Sequence, residues 1–446
     1  MWNAKRSFCA AAILLTISVG VMPSARAQDV PPVRLTITEA IERGLQANLR
    51  IRAAETRMDE AAATRERRLA PLLPRARVES TASLQNRSLA AFGITAPGIP
   101  DVVPMFSTYD FRVYAEQPLF DRQAYHGWKA SQRQEEVVRQ DYQETRDQVV
   151  RLVSGLYLNA QAAAARAEAA RSRVGTAEEL YRLARERHDA GVATGVDVLR
   201  ARVELANTQQ RLLESQNAAK QAIVALLRNI GMSPGTPVEL ADGLRFETVQ
   251  RPDAAAALAE SLANRADYRA LAAQREALIA QQKANRARWY PRLSVGGNYG
   301  GIGRAVGQVQ GTGLLQGTLS FTVFDRDRDG EQREIESRIQ RLEYQMADLR
   351  LGLEEEIRTA LLALESAAEE VRVAQQGQDL AGQELALARE RFQAGVTNNL
   401  EVISAQASLE RAQENRILAM TRYSDAKMAR ARALGGTEQS FKKYLP

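Results

Sequence analysis

The stretch "ARERHDAGV" at residues 184–192 returns almost unchanged at residues 388–396 as "ARERFQAGV". The offset is 204 residues, and it holds well beyond these nine. It carries Phe120-Asp121-Arg122 onto Phe324-Asp325-Arg326 and Gly231 onto Gly435, with no gap between those landmarks. Upstream the offset becomes 217, matching Pro74-Arg75 to Pro291-Arg292 and Ala40 to Ala257. Solenoid repeats recur every ~20–50 residues, so copies this long are a duplicated unit and not a solenoid.

Each copy has the same internal order. The first repeat is expected over 28–231, with helices at about 38–69, 123–189 and 196–229 and two strands within about 75–119. The second is expected over 253–435, with helices at about 254–288, 327–393 and 400–433 and two strands within about 292–324. The first helix of each copy ends where proline follows, at Pro71 and Pro74 or at Pro291. The strand segments "RARVESTASL", "YDFRVYAEQPLF", "RLSVGGNYG" and "LLQGTLSFTVF" alternate in polarity and are bounded by Gly- and Pro-containing loops. Residues 232–252 link the copies, and 436–446 form a tail.

Lengths suggest an arrangement. The long helix of a copy reaches about 100 Å at ~1.5 Å per residue, and the two short ones stacked end to end reach the same distance. One continuous helix therefore runs beside two half-height ones. After Gly195 the apolar positions Val198, Ala201, Leu205, Thr208, Leu212, Ser215, Ala219, Ala222 and Leu226 step by 3 and 4. A second seam of Val196, Leu199, Val203 and Ala206 lies beside them. Two narrow seams mean that each helix packs on two neighbours, as in a ring.

Four strands per chain cannot close a membrane barrel, whose smallest examples have about eight. Open edges inside a bilayer leave backbone groups unpaired. Either the strands form a small soluble sheet, or several chains pool them. Aromatic residues are only 6% of the chain, yet Tyr109, Phe111, Tyr114, Phe120, Trp289, Tyr290, Tyr299, Phe321 and Phe324 gather at the strands and their ends. That distribution suits interfacial girdles.

The first 27 residues read as a secretory leader: Lys5 and Arg6, then the apolar "FCAAAILLTISVGVM", then "SARA". Nothing later supplies the ~18 apolar residues of a membrane-spanning helix. Cys9 is the only cysteine and lies too early in the leader to receive a lipid, so the exported chain is expected to have no disulfide and no lipid anchor. Removing Lys5, Arg6 and Arg26 lowers the formal charge from +6 to +3. The remaining arginines alternate with glutamates, as in "LEEEIR", which is a solvated helix face and not a nucleic-acid surface.

The leader, the duplicated helix–hairpin–long helix–helix unit, "EQPLFDR" at the strand-to-helix passage and the tips "AGVATGVDVLRARVEL" and "AGVTNNLEVISAQASL" together resemble the outer-membrane efflux family, the TolC-like channel proteins. The resemblance spans about residues 35–435. It implies a mainly α fold with transmembrane β: a homotrimer whose strands pool into one 12-stranded β-barrel, continued by a long α-helical barrel. Residues 232–252 and both termini then girdle its middle. The implied role is the passive exit duct of a tripartite efflux or type I secretion system. The implied place is the outer membrane of a Gram-negative-type bacterium, among its lipids and extending into the periplasm. The implied partners are a periplasmic adaptor and an inner-membrane transporter of RND, ABC or MFS type, and no cofactor or metal is called for. The rival reading is an exported coiled-coil scaffold or adaptor without a pore.

Two sets of residues follow. Ala190, Gly191, Val192 and Ala394, Gly395, Val396 mark hairpin tips, where glycine permits the left-handed turn that ends a helix. The resemblance makes them the adaptor contact. Asp197 and Glu401 occupy one repeat position, and the resemblance places acids there at the periplasmic entrance. Thr194-x-x-Asp197 and Asn398-x-x-Glu401 also read as helix caps, and the two roles are compatible. The sequence departs from the best-known family pattern at Ser404, where a second acid is usual, and at Phe392 and Thr397, which replace partners of the gate bonds.

One motif competes. Asp325, Asp327, Asp329, Gly330 and Glu336 match the D-x-D-x-D-G-x₅-E calcium loop. A strand precedes it where a helix is required, and Arg326 and Arg328 dilute its charge, so an acid-rich helix start is expected. His126 and His188 have no metal-ligand spacing, and no nucleophile or phosphate-loop motif suggests an enzyme.

Overall fold

The structure, a computed structural model, describes residues 32–94, 97–243, 246 and 254–444. The expected leader, part of the inter-repeat linker and the last two residues lie outside these.

The first copy runs β1 (Val33–Leu35), α1 (Ile37–Ala47), α2 (Leu49–Leu69), β2 (Arg75–Ser88), β3 (Val102–Phe120), α3 (Arg122–Asp189) and α4 (Gly195–Asn229). After β4 (Val238–Leu240) the second copy runs α5 (Ala254–Asn264), α6 (Ala266–Arg286), β5 (Arg292–Gly303), β6 (Val309–Ser320), α7 (Arg326–Gln393) and α8 (Asn399–Leu434). A final helix, α9 (Thr437–Tyr444), lies where a tail was expected.

The helices α3 and α7 have 68 residues each, about 100 Å long. Their length follows from the sequence: no proline occurs between Pro118 and Pro234, or between Pro291 and Pro446. Each starts from an aspartate cap, Asp121 accepting from the Ala124 N–H at 2.8 Å and Asp325 from the Arg328 N–H at 3.3 Å.

The first helical segment of each copy is not continuous as expected. It breaks at Asn48 in copy one and at Arg265 in copy two, positions related by the 217-residue offset. The Asn48 amide oxygen accepts from Arg50 N–H, and its amide nitrogen donates to Asn229 O at 3.0 Å. Arg265, nearly buried, instead pairs with Asp267 at 2.6 Å and Glu356 at 2.8 Å. The break lets a short helix pack across α3 at mid-height. There Leu35, Ile37, Ile41, Val149, Val153, Tyr157, Leu226 and Leu227 form the largest core, around the parallel pair β1–β4. Asp242 holds this pair, accepting from the Ile37 N–H at 2.7 Å and the Tyr157 hydroxyl at 3.1 Å.

The four long strands make one antiparallel sheet in the order β2-β3-β5-β6. Strand ends differ from expectation in both hairpins: β2 and β3 reach Ser88 and Val102, and β5 and β6 reach Gly303 and Val309, all inside the expected loops. β3 begins at Val102 inside the expected loop, because Val102 pairs with Ser88 of an equally extended β2. β6 stops at Ser320, opposite Arg292, because the next partner is Pro291, which has no N–H to donate. Phe321 and Phe324 are therefore outside the ladder.

Candidate functional site: the two-faced sheet and the hairpin tips

Successive side chains of a strand point to opposite faces, and here the faces differ in chemistry. The register sets Val78 beside Val113 and Val113 beside Tyr299, with Phe111, Leu315 and Leu319 on the same side. All are exposed, Tyr299 to 73% and Leu315 to 81%. The other face carries Arg77, Glu79, Asp110, Arg112, Asn298 and Gln316. There Arg112 donates to Asp110 Oδ1 at 2.8 Å and to Asn298 Oδ1 at 3.0 Å, and Arg77 lies 4.7 Å from the centre of the Tyr114 ring. Glycines bring β3 and β5 close: a Cβ at Gly300 would lie 2.1 Å from the Phe111 carbonyl oxygen. Among the described residues, the outer edges of β2 and β6 have no strand partner. An apolar surface of this kind marks contact with a membrane or partner, and open edges call for further strands.

At the opposite end of the long helices both tips close by the same geometry. Gly191 (φ +75°) and Gly395 (φ +76°) are left-handed. The Val192 N–H bonds Arg187 O at 2.9 Å and the Val396 N–H bonds Arg391 O at 3.0 Å, while the two glycine N–H groups bond His188 O and Phe392 O. This is the Schellman closure, which satisfies the last carbonyls of each helix. Val192 and Val396 are left exposed at the ends.

The two acids at the equivalent position behave differently. Asp197 completes a capping box with Thr194, its carboxylate accepting from Thr194 N–H at 3.2 Å and Oγ1–H at 2.7 Å. Glu401 does not cap as the spacing suggests. The Asn398 amide oxygen already serves the Leu400 N–H, and Glu401 turns to Arg391, 3.1 Å away. Phe392 is buried in the tip core with Leu180, Ala184, Leu385 and Val402, whereas Thr397 is half-buried and Ser404 exposed.

Sequence reasoning missed the residues that tie the two hairpins together. Arg187 lies over the Phe392 ring, 4.9 Å from its centre, and donates to the Phe392 carbonyl. Asn399, fully buried, donates from its side chain to Asp197 O at 2.8 Å. The available signal was the offset: Arg187 matches Arg391, yet one crosses between copies and the other pairs within its own. Asn399 matches Gly195, so that contact has no counterpart.

The calcium-like carboxylates do not converge. Asp325 and Asp327 both meet Arg288, Asp329 meets Arg328 at 3.1 Å, and Glu336 lies 3.8 Å from Arg286. They spread along the start of α7, each beside an arginine. His188 sits 3.5 Å from Asp189 at the tip, and His126 stands beside Tyr125 at the head of α3.

Comparison with known proteins gives this geometry its context. A family profile described as outer membrane efflux protein matches residues 40–232 and 257–436, which takes in both copies. The pyoverdine export outer membrane protein OpmQ of Pseudomonas aeruginosa is 26% identical over 423 residues, covering 91% of this chain and 86% of OpmQ. The probable efflux pump outer membrane protein TtgC of Pseudomonas putida is 28% identical over 274 residues, covering 58% of this chain and 55% of TtgC. Among solved structures, the outer-membrane channel OprN matches with TM-score 0.76 at 22% identity over 90% of both chains. The outer membrane protein VceC of Vibrio cholerae matches with TM-score 0.75 at 18% identity over 90% of this chain and 96% of that one. The profile thus favours a channel over a scaffold without a pore, and the chain belongs to the outer membrane efflux protein family, as an outer-membrane channel component reaching into the periplasm.

Proposed function

We propose that three copies of this chain close into one passive exit duct. The observation that carries the reading is the open, two-faced sheet. Three chains with four strands each supply twelve, enough to close a barrel in which every backbone group is paired. The apolar face then meets lipid, and Arg77, Asp110, Arg112 and Asn298 line the water-filled interior. Below it, α3 and α7 of each chain continue the wall for about 100 Å. The second seam of α4 supports this: Val196, Leu199 and Val203 remain exposed in the single chain, where a neighbouring chain's helix would pack.

The tips Ala190–Val192 and Ala394–Val396 meet a periplasmic adaptor, which links the duct to an inner-membrane transporter of RND, ABC or MFS type. Asp197 and Glu401 stand at the entrance, with Arg187 and Asn399 holding the paired hairpins. The wall performs no chemistry. OpmQ is named for pyoverdine export and TtgC for efflux, which supports small molecules handed over by the transporter as cargo. Adding the purified protein to a planar lipid bilayer tests this: discrete, stable conductance steps are expected, and a bilayer left sealed by inserted protein refutes it.

A further inference from the structure

We infer that the foot of the sheet carries a binding site for the phosphate of an anionic glycerophospholipid, formed by Arg122 and Lys129. The inference rests on the reading that the sheet spans a bilayer. α3 begins directly below β3, and Gln123, Gly127, Ala130 and Gln134 of its first turns line a cavity on the polar side, together with Asp121 and Arg292. By helical periodicity Arg122, Tyr125 and Lys129 project from the opposite side, beneath the outward Phe120 and Leu319.

The two cations rest on aromatic rings. The Arg122 guanidinium lies 4.2 Å from the centre of the Tyr290 ring. The Lys129 ammonium lies 4.9 Å from Trp128 and 5.9 Å from Tyr125, whose own rings are 6.1 Å apart. Ring faces hold a cation without neutralising it. Among the described residues, no carboxylate lies within 4.0 Å of either cation. The contrast with the inner side is plain, since Arg288 there meets Asp325, Asp327 and Glu331. His126, between the two cations, is held below its ordinary range by burial and then by Arg122 and Lys283.

In the proposed trimer a neighbouring chain would not supply the missing anion. α3 is flanked at this height by α2 and α6 of its own chain, and β3 and β5 are the inner strands of the sheet. Chains joined at the β2 and β6 edges leave this face outward. Cations framed by tyrosine and tryptophan, at the level where apolar surface gives way to helix, match the depth of lipid phosphates.

The full chain, reconstituted into vesicles of mixed phosphatidylglycerol and phosphatidylcholine and then extracted, tests the site by native mass spectrometry of retained lipid. Preferential retention of phosphatidylglycerol is expected, falling roughly fivefold for each cation removed in Arg122→Gln and Lys129→Gln. Arg139→Gln, further down the same helix and paired with Glu136, should leave it unchanged. Equal retention of both lipids, a preference that survives the double variant, or displacement of the lipid by inorganic phosphate would overturn the site. A chain that fails to enter vesicles at all would overturn the membrane reading beneath it.

Discussion

Replacing Leu315 with arginine separates a lipid-facing sheet from a water-facing one, because the two predict opposite outcomes. Leu315 lies near the middle of β6, opposite Gly297, with 81% of its surface exposed. On a soluble sheet the change removes an exposed apolar side chain, and stability should stay within about ±0.5 kcal/mol. In a bilayer an arginine near the midplane costs about 2–4 kcal/mol for each copy. Three copies in one barrel then lose roughly 6–12 kcal/mol, comparable to the ~5–15 kcal/mol that holds an ordinary domain together. Gln316→Arg is the matched control: the same charge one residue on, on the polar face. Urea unfolding of each variant from lipid vesicles gives the free energies. The expected order is wild type close to Gln316→Arg, with Leu315→Arg far less stable or unable to insert. Equal values for the two variants would refute the assignment of the faces.

Three further outcomes follow from the tips and the mid-height core. Glu401→Ala removes one acid per chain and leaves Arg391 unpaired. The pair is partly exposed and worth ~0.2–1 kcal/mol, so the fold should be little affected while cation-over-anion permeability in planar bilayers falls; unchanged selectivity would remove Glu401 from the entrance. Gly191→Phe with Gly395→Phe forces bulky residues into left-handed turns at about 1–2 kcal/mol each. Export should be lost while assembled trimers remain on gels, and normal export would count against adaptor docking at the tips. Asp147, buried between α3 and α9, accepts the Glu438 N–H at 2.8 Å, and burial above all pushes its carboxyl up to about 6. Above that pH the folded state carries the cost of a buried charge. As pH falls from about 6 towards 4 the folded state takes up a proton before the unfolded one does, and stability should rise by up to about 3 kcal/mol. Asp147→Asn should abolish that rise in urea titrations at pH 5 and 8; an identical pH dependence in the variant would discount Asp147.

The parts of this molecule that depend on local sequence were legible in it. Proline-free spans produce the long helices, Asp121 and Asp325 cap them, and Gly191 and Gly395 end them, all within a few residues of the cause. The breaks at Asn48 and Arg265 were not legible. Asn48 makes a local cap to the Arg50 N–H, but that signal sits inside a continuous helical pattern, and the anchors are tertiary: Asn48 reaches Asn229, and Arg265 reaches Glu356. Arg265 is also no cap former, so only its equivalence to Asn48 across the repeat hinted at a break. The entrance was half legible. Thr194 and Asp197 act as their spacing suggests, but Glu401 follows Arg391 across the turn, and the Arg187–Phe392 contact joins residues 205 positions apart. The same duplication that revealed the fold concealed this asymmetry, since equivalent residues were expected to do equivalent work.

The most direct test of the account is the mass of the assembly extracted from outer membranes in mild detergent, measured by native mass spectrometry. Three chains per particle, dissociating only on heating, is the result predicted by four strands with two open edges. A single chain that stays dissolved in buffer after the detergent is removed would contradict it.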